Sequence, residues 1–446
     1  MSTLRASFGR PSIGFSRQAP LILLLGAGTG VLVAALPTFS LQIALLGGAV
    51  DLAIVLVMAR FGRTINASWV LVASIFLVGP VGALLLRAGI GLSVVAAIVG
   101  GFLPFAIAAF VLHREARPRL ALLAPLILLL AFGAASLAWS PDAAYGAEKL
   151  TVWILASLIP VAFILVLVPA SPVIDWRPVA VAAVITALAM IAFGVASPTY
   201  PGRPTLFDAN PIWESRALFI GAIVVTFAPI PRWMKLLLIP LVVYAAILPV
   251  SRGPAIGFVL GACAGGAEKL RTFDRHDRRI QLAWAGIGIV TALAIVAGLG
   301  LFDRVSSLLT TFLAEPDVTS RASYINESGR LFWSHPFLGV GLGGFAATGM
   351  DDYPHNLGFE LAAELGVLGV LLVVPWVAFA VRGAAGSPML MALLVSTGIF
   401  TLFSGSLASN VEFWLCSAFA VARFPLGRRR VQARTQAFAR GQLARG

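Results

Sequence analysis

One histidine stands where an apolar run begins. In "DDYPHNLGFELAAELG", residues 351–366, two aspartates and a Pro-His-Asn lead into a stretch that holds Glu360 and Glu364. Imidazole is the side chain most often used as a general base, so His355 is a candidate to take a proton from a substrate hydroxyl. A hydrogen-bonded capping histidine is the plainer alternative. Asn356, Glu360 and Glu364 are spaced by four, which puts them on one helical face. That face must look into protein, since lipid would not accept it, and ion pairing to arginine is its plainer reading. Arginines gather on the same side of the chain: Arg203, Arg216, Arg252, Arg304, Arg321 and Arg330. Some have acids within reach, among them Asp208, Glu214, Asp303 and Glu327. Arg252, in "LPVSRGPAIG", has none within ten positions on either side. Guanidinium forks match phosphate oxygens, so several on one face fit a shared anionic ligand better than separate snorkelling charges. Metal chemistry has little support. Asp351, Asp352 and His355 offer oxygen and nitrogen, but no HxxxH, HExxH or DxD spacing occurs on this face. No GxSxG elbow for a serine nucleophile occurs either. No metal and no cofactor is expected.

The elements that must position these groups are membrane helices. Hydrophobic residues make up 59% of the 446 and charged ones 11%, less than half the roughly 25% of a soluble domain. Mean hydropathy is +0.95. Apolar runs of span length fall near 20–36, 40–59, 68–86, 91–112, 119–139, 151–169, 177–196, 216–230, 235–250, 254–267, 281–301, 357–378, 388–405 and 409–424. The reading is an all-α polytopic membrane protein with about 12–14 spans, the lower figure applying if short runs are half-helices. Lys and Arg crowd one set of loops: "RFGRT", "HREARPR", "PRWMK", "EKLRTFDRHDRR" and the tail "GRRRVQARTQAFAR". The alternate set, "PTFS", "RAGIG", "SPDAAYGAEK" and "GSLASN", holds few. The positive-inside rule then puts both termini in the cytoplasm. Residues 1–19 form a cytoplasmic segment, 20–424 the membrane domain and 425–446 a basic cytoplasmic tail. This distribution accounts for the net charge of +13, so no nucleic-acid partner is expected. Cys263 and Cys416 sit in or beside apolar runs and give no disulfide framework.

The outer loops 197–215 and 302–356 are the active-site face of this reading. In the second, the apolar spacing from Leu301 to Leu313 predicts an amphipathic helix, on the membrane surface or continuing the preceding span. Thr319 or Ser320 caps a second helix over "RASYINESGRLFW". The glycines of "HPFLGVGLGGF" read as backbone turns, because the stretch follows no strand and lacks the Lys-Ser/Thr ending of a phosphate loop.

Four stretches together resemble the O-antigen ligase and O-antigen polymerase superfamily of bacterial envelope glycosyltransferases. They are "GRPTLFDANPIWESRAL" (202–218), "SRGPAIGFVLG" (251–261), "SRASYINESGRLFWSHPFLGVGLGGF" (320–345) and "PHNLGFELAAELGVLG" (354–369). In the last, ten residues separate His355 from Gly366, the spacing of the ligase histidine–glycine motif. One departure is Ile220, four residues after Arg216, where ligases tend to have Leu; it leaves ligase against polymerase open. The resemblance implies a lipid-dependent (GT-C-like) glycosyltransferase fold in a bacterial inner membrane. It implies a glycan donor on undecaprenyl diphosphate and no metal. By position it makes Arg203, Arg252 and Arg321 donor-binding arginines and His355 the catalytic histidine.

The expectation is glycosyl transfer on the periplasmic face to a glycan or lipid acceptor, with Asn356, Glu360, Glu327 and Arg216 orienting the acceptor or the arginines. A polyprenyl-glycan transporter or flippase is the competing class. It calls for charge along a central path, whereas Asp51 is the only acid deep in an early span.

Overall fold

The structure, a computed structural model, describes residues 67–77, 121–170, 174–200, 202–271 and 317–425. The expected spans 20–36, 40–59, 91–112 and 281–301, and the helix from Leu301 to Leu313, lie outside those residues. The described chain is helical apart from one two-stranded antiparallel ladder, Val195–Ala196 (β1) with Pro204–Thr205 (β2), in the register Val195 to Thr205. The helices are α1 (Ser68–Leu71, continued by a π turn over Val72–Leu77), α2 (Ala124–Ser136), α3 (Ala143–Trp153) and α4 (Ile159–Ala170). After them come α5 (Arg177–Phe193), α6 (Pro211–Phe227), α7 (Arg232–Ile247) and α8 (Arg252–Arg271). The last four are α9 (Asp317–Ser334), α10 (Leu357–Ala384), α11 (Pro388–Phe403) and α12 (Val411–Val421). Two stretches, Ala143–Leu165 and Leu357–Ala384, are long and apolar enough to cross a bilayer; α5, α11 and α12 are shorter apolar helices.

Local chemistry sets the starts of these helices. Asp142 accepts from the Tyr145 N–H (3.0 Å) ahead of α3, and Asn210 accepts from the Ile212 N–H (2.9 Å) ahead of α6. Pro211 and Pro388 occupy first-turn positions, where proline's missing N–H costs nothing. Small residues set the closest packing. Gly253, Gly257, Gly261 and Gly265 form a stripe along α8, and a Cβ on any of them would come within 2.5–2.8 Å of Phe403, Phe400, Ala392 O or Pro388 O of α11. This small-xxx-small seam lets two antiparallel helices touch backbone to backbone, as membrane helices must where water supplies no driving force. It also fixes the start of α8, with Arg252, beside the end of α11.

The α10 helix is broken. Gly366 has φ 63° and ψ −163°, and the glycine-rich loop 335–345 fills the break. The Val340 and Gly341 N–H groups donate to Ala363 O (3.0 Å) and Glu364 O (2.9 Å), while Pro336 O and Phe337 O accept from the Val367 (2.8 Å) and Leu368 (3.3 Å) N–H groups. Backbone freed in an apolar helix must find partners inside the protein, and here a second segment supplies them. Gly339, Gly341 and Gly343 are all left-handed (φ 68°, 93° and 86°), which bears out the reading of this stretch as turns.

Candidate active site

A lysine holds the first half of α10. Lys149, on α3, lies 2.8 Å from Glu360 Oε1 and 2.9 Å from Glu364 Oε2, and all three side chains are buried. Each carboxylate also takes a backbone donor from another segment: Glu360 from the Leu407 N–H (2.7 Å), Glu364 from the Phe345 N–H (3.3 Å). Four segments therefore meet at one ammonium: α3, α10, the glycine-rich loop and the α11–α12 loop. Breaking a buried pair is costly, and the two backbone donors add to what the lysine supplies. The glutamates pair with this lysine and not with an arginine, which corrects the expectation above. Glu360 is thus a positioning group turned away from any open face.

His355 is built differently. Among the described residues it is one of four non-glycine positions with left-handed φ: Phe207 (56°), Asp208 (67°), Val250 (54°) and His355 (54°). Such a conformation costs a side chain of order 1–3 kcal/mol and persists only where surroundings impose it. All four precede a helix, namely α6, α8 or α10. His355 Nε2 lies 3.1 Å from Asp351 Oδ2, and both side chains are about one-third exposed (31% and 33%). The Tyr324 hydroxyl donates to the same Asp351 oxygen (3.2 Å), and the Tyr324 and Tyr353 rings lie 5.7 and 4.6 Å from the imidazole. Burial pushes the Asp351 carboxyl up, but donors from His355, the Asp352 N–H and Tyr324 outweigh it and hold it below the usual carboxylate range. Burial, with Glu360 and Asp351 nearby, pushes the Tyr353 hydroxyl above its ordinary value. The helix starts at Leu357, where the apolar run begins. Asn356 is its cap, accepting from the Phe359 N–H (3.2 Å), so Pro354, Asp351 and Asp352 lie before it and the imidazole stands just outside the first turn.

Of the arginines, Arg216 is a buried strut. It lies in the second turn of α6, 1% exposed, and donates to Phe400 O (3.0 Å), Ser404 O (2.8 Å), Asn410 Oδ1 (3.3 Å) and Glu412 Oε2 (3.4 Å). It thereby satisfies carbonyls at the end of α11, and it lies inside a helix that begins at Pro211, not at the first position of a span starting at 216. Arg252 is half-buried as the first residue of α8. Its neighbour Gly253 packs on Phe403, and the adjacent Leu402 carbonyl accepts from Asn356 Nδ2 (2.9 Å), so Arg252 and His355 flank the same helix end. Ser251 Oγ donates to Pro211 O (3.3 Å), which ties that end to α6. Arg321 is exposed on α9, within one turn of Tyr324, whose ring faces His355. Arg203 sits on the β1–β2 turn, with its carbonyl accepting from the Ser197 N–H (3.1 Å). Glu327 bonds Arg330 through both oxygens (2.9 and 2.5 Å), and that bond holds its carboxyl below the usual range. Thr319 and Ser320 lie inside α9, which begins at Asp317. Among the described residues no three His, Cys, Asp or Glu side chains converge as metal ligands.

Lys149 is what the sequence reading missed. "SPDAAYGAEK" was read as an outer loop, yet Asp142 caps α3 and Tyr145 and Lys149, four apart, share a face, with the ammonium 5.0 Å from the Tyr145 ring. The signal was present in Pro141-Asp142, a helix-start pair. Nothing local distinguishes a buried lysine there from one that snorkels to the interface.

Residues 236–374 match the family model described as O-Antigen ligase, which is less than half of the chain. No curated protein sequence matches. The matched segment runs from α7 into α10 and includes the α8 start, α9, the glycine-rich loop, the His355–Asp351 pair and the Gly366 break. With the apolar helices it makes this a membrane protein. The segment that bears Arg252, Arg321, His355 and Gly366 is the part of the chain that is similar to the O-antigen ligases.

Proposed function

We propose that the chain is a metal-independent glycosyltransferase of the bacterial inner membrane, with both termini cytoplasmic. Its helices 20–424 cross the bilayer in 12–14 spans, and the loops 197–215 and 302–356 form a periplasmic active face. It moves a glycan from undecaprenyl diphosphate to an acceptor hydroxyl, as a ligase or polymerase does. Arg252 and Arg321, with Arg203, hold the diphosphate, whose leaving charge must be met as the sugar–phosphate bond breaks. Asp351 orients His355 through Nε2, leaving Nδ1 to take the acceptor proton as the hydroxyl oxygen attacks the anomeric carbon. Attack opposite the diphosphate inverts that carbon, and the proton ends on the imidazole beside an ionised Asp351. Asn356, Glu360 and Arg216 keep these groups in place, while Glu327 acts on α9 through Arg330.

The observation that supports this reading most is the His355–Asp351 pair, half-open and locally strained, beside the helix end that Arg252 flanks. The test is transfer by purified protein with lipid-linked glycan as donor, comparing wild type with Arg252→Lys. Lysine keeps the charge but loses the two-pronged fork. Donor affinity is expected to fall about tenfold, or about 1.4 kcal/mol. Wild-type transfer by Arg252→Lys and Arg252→Ala contradicts the diphosphate clamp. Donor movement across vesicle membranes without transfer makes the protein a transporter.

A further inference from the structure

Behind the arginine strut lies a cavity of about 140 Å³, between the starts of α6 and α12 and the flanks of α3 and α5. Asn210, Trp213 and Glu214 line it from α6, and Ser409 and Glu412 from the other side; deeper walls are apolar, among them Ile75 and Phe76. Glu214 is 3% exposed. Its Oε1 accepts from the Leu206 N–H (2.9 Å), but Oε2 has no hydrogen-bond partner among the described residues. A buried carboxylate oxygen left alone beside an open space calls for a donor from outside the chain.

The surroundings restrict that donor. Arg216 pairs with Glu412 and not with Glu214, and among the described residues no lysine or arginine lines the cavity. A diphosphate or an acidic sugar finds no counter-charge there, so the donor's leaving group belongs elsewhere. No third His, Cys, Asp or Glu joins the two carboxylates among the described residues, which leaves a divalent cation short of ligands. What remains is a neutral hydroxyl. The Trp213 indole, 42% exposed and one residue away, offers an apolar face to the C–H side of a sugar ring. The volume is below the roughly 300–1,000 Å³ of a drug-sized pocket and admits about one ring. Ala408 and Ser409 of the wall adjoin Leu407, whose N–H Glu360 holds, so the cavity backs onto the loop that locks the start of α10.

We propose that this cavity receives a neutral pyranose ring of the glycosyl acceptor, with a ring hydroxyl donating to Glu214 Oε2 and the ring stacked on Trp213. The assignment rests on the transferase reading above. Two measurements on the full chain keep the two ideas separable. In the first, tryptophan fluorescence is titrated with neutral methyl hexopyranosides and with methyl uronides, independently of any transfer. The neutral glycosides should quench wild type, the uronides should not, and Trp213→Phe and Glu214→Gln should lose the response. In the second, labelled lipid-linked glycan is the donor and a membrane glycolipid extract the acceptor. Glu214→Gln turns an acceptor oxygen into an amide donor at constant size; it should raise the acceptor KM at least tenfold and leave slow donor hydrolysis by water unchanged. Quenching by neutral glycosides that survives in both variants overturns the pocket, as does a wild-type acceptor KM in Glu214→Gln. An absence of donor hydrolysis and transfer in wild type contradicts the reaction and leaves the fluorescence result to judge the pocket.

Discussion

Two acid–base partnerships stand five residues apart at the start of α10, and they are built in opposite ways. Lys149, Glu360 and Glu364 are sealed from solvent, close-paired at 2.8–2.9 Å and tied to two backbone N–H groups. His355 and Asp351 are one-third exposed, joined at 3.1 Å and held on a left-handed backbone. The first arrangement spends its charge on geometry. The second keeps a nitrogen within reach of a substrate. The difference teaches that the charged residues most unexpected in an apolar run are its framework, and it is the residue just outside the run that is proposed to carry the chemistry.

The comparison predicts where damage is greatest. Lys149→Met leaves two carboxylates facing each other without a cation, and the loss of one partner from a buried pair costs about 3–5 kcal/mol. Thermal unfolding in detergent should show it directly. The triple change Lys149→Met, Glu360→Gln and Glu364→Gln should recover much of that stability, because the charges leave together. A Lys149→Met protein as stable as wild type would mean that the node holds nothing.

Gly366→Ala comes next. The added Cβ would lie 2.5 Å from the Phe337 carbonyl and would occupy a left-handed position. The combined strain and displacement of the loop should cost about 2–3 kcal/mol. Gly349→Ala is the control. It has φ 73° and nothing within 4 Å, so only the conformational cost of about 1 kcal/mol applies. Equal effects at the two glycines would show that the loop does not brace the break.

The smallest effect belongs to the exposed pair. Asp351 has a depressed folded pKa, so it binds protons more weakly in the folded protein than in the unfolded one. Its contribution is fully present above the usual carboxylate value of about 3.9 and is lost as pH falls through the folded value. Asp351→Asn should therefore be less stable than wild type near neutral pH, with the gap closing in acid. Melting curves from pH 7 downward check it; a gap that widens in acid has the wrong sign.

Much of the frame was legible because hydropathy is a one-dimensional signal. The run read as 254–267 is α8, and 388–405 and 409–424 are α11 and α12, to within a few residues. His355 stood out because a polar cluster, Asp351 to Asn356, precedes an apolar run. Arg216 was misplaced because the span was started at 216, past Asn210-Pro211, which had the cap and first-turn proline of an earlier start. Lys149 and the Gly366 break were not legible. The partner of Lys149 is 215 residues away, and the break is stabilised by a loop that ends some twenty residues earlier. Such contacts leave no periodicity in the sequence near either residue.

The account turns on His355 as the base, and the most direct test pairs turnover with donor binding in His355→Gln. Glutamine keeps hydrogen bonding and cannot take up the acceptor's proton. Transfer should fall by about 10²–10⁴-fold, the usual worth of a positioned general base, while affinity for the lipid-linked donor stays within about twofold of wild type. Wild-type turnover by His355→Gln would contradict the account.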